Sequence, residues 1–155
     1  MTDWPYHTDL PLAAMADAPY WARRHIEDIL PKWGAGSLVM NAQLVATELV
    51  TNGVKHSGGS MELPNVVTTG GRAVPAKSVF PKKGEGVSVR LSLSYGEGRL
   101  LIEVWDKSET PPAEQLPDFV SESGRGLFVV SAFCEKWGWY LAEGGGKVVW
   151  AEVAA

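Results

Sequence analysis

The stretch Glu48-Leu49-Val50-Thr51-Asn52-Gly53-Val54-Lys55-His56 places a carboxylate, a carboxamide and an imidazole four residues apart. Around it, residues 37–56 carry apolar side chains at the three- and four-residue spacing of a buried helical stripe: Leu38, Ala42, Val45 and Leu49. Because residues four apart stack on one face of a helix, a neighbouring polar stripe forms from Asn41, Glu48, Asn52 and His56. The stretch therefore predicts a helix capped at Ser37, with one face buried and the next face available for chemistry.

This polar stripe suits the binding of a metal ion together with a phosphate ligand. The side-chain oxygen of Asn52 can ligate a hard cation such as Mg2+, which takes a few protein oxygens together with phosphates and waters. Glu48, one turn earlier, could orient or deprotonate a hydroxyl group or a water molecule. A solvated helix face would have the same composition, so the stretch alone leaves both interpretations open.

Length and composition indicate an ordinary globular domain. The 155 residues fit one domain, and the 45% of hydrophobic residues argue against disorder. A net charge of -4, with no basic run that contains aromatic residues, disfavours nucleic acid as a direct partner. The chain has no signal-like N-terminus and no apolar run near the roughly 20 residues that a membrane span requires. We therefore expect a cytoplasmic protein that does not bind membranes, and its single Cys134 can form no internal disulfide.

Hydrophobic periodicity and turn residues predict the other elements of the chain. In chain order these are an edge strand over residues 6–12, a helix capped at Asp17 that runs to Leu30, a hairpin of strands 87–94 and 100–105 around Gly96-Glu97-Gly98, and a closing hairpin around Gly144-Gly145-Gly146. Between residues 58 and 86 no period holds, and glycine, proline and lysine recur. So long a loop is unusual in a compact domain and predicts either a function or mobility.

Two further motifs lie far from the helix in the sequence. Asp106-Lys107-Ser108 directly follows a predicted strand, where a carboxylate is well placed to accept a hydrogen bond from a ligand. Gly124-Arg125-Gly126-Leu127 opens a predicted amphipathic helix, and free N–H groups at a helix start favour an anion such as phosphate. A polar loop over residues 113–123 lies between the two motifs. An oxygen ligand for a metal, an acceptor carboxylate and a phosphate site together indicate a nucleotide.

The three motifs resemble the nucleotide-binding boxes of one family. Glu48-x-x-x-Asn52-x-x-x-His56 resembles the N box of the GHKL ATP-binding fold, which histidine kinases, gyrase, Hsp90 and MutL share. Asp106-x-Ser108-x-x-x-Pro112 resembles the first glycine box, and Gly124-Arg125-Gly126-Leu127 resembles the second. Their order, with the tryptophans of the closing hairpin, is most similar to stand-alone actinobacterial relatives of the anti-sigma-factor serine kinases. The resemblance covers residues 22–153.

The resemblance implies an α/β (α+β) two-layer sandwich, in which a mixed, mainly antiparallel sheet carries helices on one face. Residues 1–155 would form one ATP-binding domain with a long insertion at 58–86 and a short lid at 113–123. The implied cofactors are ATP and Mg2+: Asn52 would ligate Mg2+, Asp106 would accept the adenine amino group, and Glu48 would be the general base toward a protein serine. A further set of nucleotide-binding residues is implied: Lys55, His56, Ser108, Pro112, Gly124, Arg125, Gly126 and Leu127.

The resemblance also implies a serine/threonine-protein kinase of the anti-sigma-factor type, which regulates transcription through a partner switch. The expected partners are a small antagonist protein that is phosphorylated, a sigma factor, and a second copy of the chain. Four features depart from the family pattern: Gly53 stands where the family usually has alanine, Ser108 replaces a glycine, the lid at 113–123 is short and poor in glycine, and the 58–86 insertion is extra. These departures bear on turnover more than on ATP binding. Three alternatives stay open: a non-catalytic ATP-responsive regulatory module, the catalytic part of a histidine kinase that acts on another chain, and a polar seam that binds no nucleotide.

Overall fold

The computed structural model of the protein describes residues 4–57, 66–69, 72–75, 89–112 and 125–154. In chain order, the elements are β1 (Tyr6–Leu12), α1 (Ala18–Ile29), α2 (Val39–His56), β2 (Val66–Thr69), β3 (Arg72–Pro75), β4 (Val89–Gly96), β5 (Arg99–Asp106), α3 (Arg125–Phe133), β6 (Lys136–Leu141) and β7 (Lys147–Ala154). Two short 3-10 turns, Leu30–Trp33 and Gly36–Leu38, connect α1 to α2.

Five strands form the main sheet in the order β1-β4-β5-β7-β6, and every neighbouring pair is antiparallel. Side chains alternate across a strand, so one face of the sheet collects the apolar residues of the three central strands. These buried residues are Val89, Leu91, Leu93, Leu100, Ile102, Val104, Val149, Ala151 and Val153. The helices cover this face, and the predicted two-layer α/β sandwich is therefore confirmed.

Helix α2 is the central helix of the second layer. It packs on β4, β5 and β7 and is flanked by α1 and α3. Every residue of the predicted apolar stripe is buried, as are Ala46, Val50, Gly53 and Val54. The prediction of Ser37 as the N-cap is wrong, because Ser37 lies within a 3-10 turn that carries Leu38 into the core. Leu38 occupies the cap position and makes no side-chain capping hydrogen bond.

The other predicted elements are confirmed with small changes in their bounds. β1 is an edge strand, and the two-residue turn between β4 and β5 has positive φ at both Glu97 (54°) and Gly98 (75°). This is the turn geometry that matches the twist of a hairpin. β6 and β7 form the predicted closing hairpin. Asp17 occupies the N-cap position of α1, as predicted. Its side chain forms no capping hydrogen bond, so it does not cap the helix in the chemical sense.

The long insertion contains a feature that the sequence analysis missed. β2 and β3 pair with each other as a short antiparallel hairpin, so the prediction of a loop without regular structure is wrong for these two segments. The β-branched run Val66-Val67-Thr68-Thr69 before two glycines was a strand and turn signal. The remainder of 58–86 and the predicted lid at 113–123 lie outside the described residues. No helix in the described ranges is long and apolar enough to cross a membrane.

Candidate functional site

A buried ion pair lies on the helix-covered face of the sheet, at the point where β5 ends. Asp106 is the last residue of β5, and the strand register places it between Val89 of β4 and Lys147 of β7. The Lys147 Nζ donates a hydrogen bond to Asp106 Oδ1 at 2.9 Å, and the two side chains are 1% and 2% exposed. The predicted position of Asp106 at a strand end is therefore confirmed. The residue does not stand alone there, because a buried cation is its neighbour.

The Asp106 carboxylate keeps one oxygen available for a ligand. The backbone N–H of Ser108 also donates to Oδ1, at 2.9 Å, so both hydrogen bonds from the described residues fall on the same oxygen. Oδ2 receives none from that part of the chain. Each carboxylate oxygen has two lone pairs, so Oδ2 can accept a hydrogen bond from a donor such as an amino group. The hydroxyl of Ser108 accepts the N–H of Thr110 at 3.1 Å and so shapes the turn that follows β5.

The C-terminal half of α2 lies directly over this end of the sheet. A methyl group built on Gly53 would approach the side chains of Val104 and Val89 at 3.4 and 3.5 Å. Val89 is the strand partner of Asp106, and Val104 precedes Asp106 by two residues on the same face. The last turns of α2 therefore lie above the ion pair. The contact distances are those of ordinary van der Waals packing, so glycine is not required at this position by lack of space.

His56, the last residue of α2, brings an unpaired nitrogen to the same region. Its Nδ1 is buried and has no hydrogen-bond partner among the described residues. Burial lowers the pKa of His56, and the positive charge of Lys147 lowers it further while Asp106 opposes the shift. His56 thus lies within electrostatic range of both members of the ion pair. A buried polar atom without a partner costs about 1–3 kcal/mol, and a ligand or water that forms a hydrogen bond with it would remove this cost.

The remaining residues of the polar stripe lie along the same helix. Glu48 and Asn52 are both half-buried, and Asn52 stands one turn before His56 on the same helix face. Burial raises the pKa of the Glu48 carboxyl, and the charge of Lys55 acts in the opposite direction. Lys55 itself is exposed, and Asn41 at the start of the stripe is exposed as well. Glu48, Asn52 and His56, near the ion pair, are therefore better shielded from bulk water than Asn41 at the start of the stripe.

Comparison with known protein families agrees with this arrangement. The family model of the histidine kinase-, DNA gyrase B- and HSP90-like ATPases matches residues 39–155, which is 117 of the 155 residues. The chain belongs to this ATPase family. Membership supports ATP binding by this GHKL-type domain. No curated protein matches the chain significantly.

The described parts of the three predicted boxes lie on one side of the sheet of this GHKL-type domain. α2 carries the first box, the end of β5 begins the second, and α3 starts at Arg125 and packs against α2. Ser108 and Pro112 are half-buried. Gly124 lies outside the described residues, and only the backbone of Arg125, Gly126 and Leu127 is described. The helix start predicted there is confirmed, and the ligand-binding roles of all these residues stay predictions.

A Mg2+ ion bound together with ATP would have few protein ligands in the described part of the chain. Within the described ranges, no group of three or more His, Cys, Asp or Glu side chains could hold a metal ion. Mg2+ commonly keeps several waters and binds through one or two protein oxygens together with substrate phosphates. The half-buried Asn52, with its amide oxygen, fits a site of that kind. Asp106 Oδ2 and His56 Nδ1, to which no described residue hydrogen-bonds, likewise fit a bound nucleotide.

Lys147 is the residue of this region that the sequence analysis missed. It was assigned to the closing hairpin and given no function. A signal was present, because strict alternation places Lys147 on the same face as Val149, Ala151 and Val153. A lysine in register with a buried apolar face is unusual and needs a partner.

Proposed function

We propose that this GHKL-type domain is an ATP- and Mg2+-binding serine/threonine-protein kinase of the anti-sigma-factor type, which phosphorylates a small antagonist protein and regulates transcription through a partner switch. The observation that carries the proposal is the position of Glu48. It is half-buried, has a raised pKa, and stands one turn before Asn52 on the helix that covers Asp106. A carboxyl in such surroundings is suited to take a proton from a substrate hydroxyl.

Each polar residue of the site has a distinct task in this proposal. Bound ATP would supply the γ-phosphoryl group: the serine oxygen would bond to the γ-phosphorus, the bond from that phosphorus to the β–γ bridging oxygen would break, and ADP would leave. A Mg2+ ion bound with ATP would neutralise the negative charge that develops. Asp106 accepts the adenine amino group through Oδ2, and Asn52 holds the metal. Glu48 accepts the proton of the attacking serine. The backbone N–H groups at the start of α3 would hold the phosphates, because free amides at a helix start favour anions.

Phosphoserine formation on candidate antagonist domains tests the proposal. Glu48→Gln keeps the shape of the side chain and removes the base, so we expect transfer to fall roughly 10²- to 10⁴-fold with unchanged ATP affinity. Glu27→Gln is the matched control, since Glu27 is exposed on α1 and far along the chain from the site. It should leave both transfer and binding unchanged.

The pH dependence of the transfer rate gives a second readout. The base must be ionised, and burial raises the pKa of Glu48 above its ordinary value of 4.5. The rate should therefore rise with pH, with a midpoint above 4.5, and Glu48→Gln should abolish this rise. Tight ATP binding without any phosphoserine on the antagonist domains would contradict the kinase assignment.

The alternative is a non-catalytic regulator whose affinity for a partner responds to ATP. It is favoured by the β2–β3 hairpin, which is an addition to the sandwich and pairs, within the described residues, only with itself. The antagonist protein, a sigma factor and a second copy of the chain are the candidate partners. ATP-dependent partner binding that persists in Glu48→Gln, without phosphorylation, would favour the regulator over the kinase.

A further inference from the structure

Lys147 has more hydrogen-bonding capacity than its known partner uses. A lysine ammonium group has three N–H donors, and Asp106 Oδ1 accepts one of them. No other described residue accepts from Nζ, although the side chain is only 1% exposed. Donors that are removed from water without partners are costly. The group is therefore poised to donate to something that enters beside Asp106.

The ion pair presents an acceptor and a donor side by side. Asp106 Oδ2 can accept, and the remaining protons of Lys147 can donate. Adenine carries the complementary pair on its Watson–Crick edge, where the exocyclic amino group donates and the neighbouring ring nitrogen N1 accepts. Guanine presents a donor and an acceptor there in the opposite order, so it would have to shift along the pair to satisfy both groups.

We infer that Lys147 is a second base-reading residue of the site, whose Nζ donates to adenine N1 while Asp106 accepts the adenine amino group. This inference rests on the proposed binding of ATP. The register supports it, because adjacent strands hold Lys147 directly opposite Asp106. His56 is consistent with it, because its buried Nδ1 has no hydrogen-bond partner among the described residues and lies within electrostatic range of the pair. The ion pair thereby positions the donor next to the acceptor.

An atom-replacement experiment tests this contact directly. The affinities of ATP, 1-deaza-ATP and 7-deaza-ATP are measured for the wild type and for Lys147→Met. In 1-deaza-ATP a C–H group replaces N1, so the wild type should bind it roughly ten- to a hundredfold more weakly than ATP, as expected for one lost charge-assisted hydrogen bond. 7-deaza-ATP is the matched control, because it loses a ring nitrogen on a different edge, and it should bind like ATP.

The variant separates base reading from a purely structural role. Lys147→Met should bind ATP more weakly and should no longer distinguish ATP from 1-deaza-ATP. A lysine that only supported the fold would weaken both nucleotides equally and leave their ratio at the wild-type value, which would overturn the inference. Equal binding of ATP and 1-deaza-ATP by the wild type would also overturn it, even if Lys147→Met failed to fold. A wild type that binds no ATP would instead remove the proposed function as well.

Discussion

Two lysine–carboxylate ion pairs of this protein have very different surroundings. Lys147 and Asp106 lie 2.9 Å apart beneath the helix layer, with side chains 1% and 2% exposed. Lys136 and Glu152 lie 3.6 Å apart at the edge of the sheet, where the lysine side chain is 60% exposed and the glutamate side chain 14% exposed. Both pairs join a lysine to a carboxylate across neighbouring antiparallel strands. The face of the sheet on which each pair lies therefore distinguishes them more than their chemistry does.

The difference matters because water screens the outer pair and not the inner one. An exposed pair gains little, since both ions are already well solvated when apart. A buried pair has lost that solvation, and each ion depends on the other and on any ligand that can replace water. The inner pair is consequently the one suited to recognise a polar ligand, and its members cannot be changed one at a time without a large cost.

The largest expected effect breaks the inner pair. Lys147→Met should lower the free energy of unfolding by about 3–5 kcal/mol, because it leaves the Asp106 charge buried without its partner. Lys136→Met is the matched control on the outer pair and should cost less than about 1 kcal/mol. Urea unfolding of the two variants measures the comparison.

Removing both inner charges sharpens this test. The double variant Lys147→Met with Asp106→Leu leaves no unpaired ion, so it should recover much of the loss seen in Lys147→Met alone. A double variant that is less stable than the single one would show that the cost comes from packing and not from the orphaned charge. Equal losses in Lys147→Met and Lys136→Met would remove the distinction between the two pairs.

A smaller effect concerns the helix that covers the inner pair. Gly53→Ala adds a methyl group that Val104 and Val89 can accept at 3.4 and 3.5 Å. Alanine also has the higher helix propensity, so we expect a gain in stability of up to about 1 kcal/mol. Thermal unfolding measures it, with ATP affinity as the accompanying control. A loss of stability would mean that α2 must lie closer to the ion pair than alanine allows.

The smallest effect concerns Asp9, an exposed carboxylate on β1. A hydrogen bond from Ser92 lowers the pKa of Asp9 most, and His7 adds to the shift. A carboxyl whose folded pKa lies below its ordinary 3.8 stabilises the fold above that pH, and the contribution disappears as the pH falls through the folded value. Asp9→Asn should thus cost less than about 1 kcal/mol at neutral pH, and unfolding profiles below pH 4 should flatten relative to the wild type. An unchanged acid profile would contradict this.

The sequence predicted those features that depend on local patterns. The alternation of apolar and polar residues predicted β4, β5 and the closing hairpin. The three- and four-residue spacing of apolar residues predicted the buried stripe of α2. Gly96-Glu97-Gly98 gave the hairpin turn, because a two-residue turn of this type needs positive φ at both central positions. The family resemblance predicts that the first box, on α2, lies close to the second box, which begins at the end of β5. The packing of α2 over the end of β5 agrees with this prediction.

What the sequence did not predict depends on distant parts of the chain. Lys147 comes to lie beside Asp106 only through the strand register, since Asp106 is 41 positions earlier in the chain. Leu38 displaces Ser37 from the cap position because burial in the core outweighs a capping hydrogen bond worth about 1 kcal/mol. Neither outcome can be read from neighbouring residues alone.

Titration of ATP with and without Mg2+ into the wild type and Asn52→Ala tests the central claim most directly, namely that α2 and the end of β5 enclose one nucleotide site. We predict that the wild type binds ATP, that Mg2+ strengthens the binding, and that Asn52→Ala loses this Mg2+ effect while it remains folded. Absence of ATP binding by the wild type, or the same Mg2+ effect in both proteins, would contradict the claim.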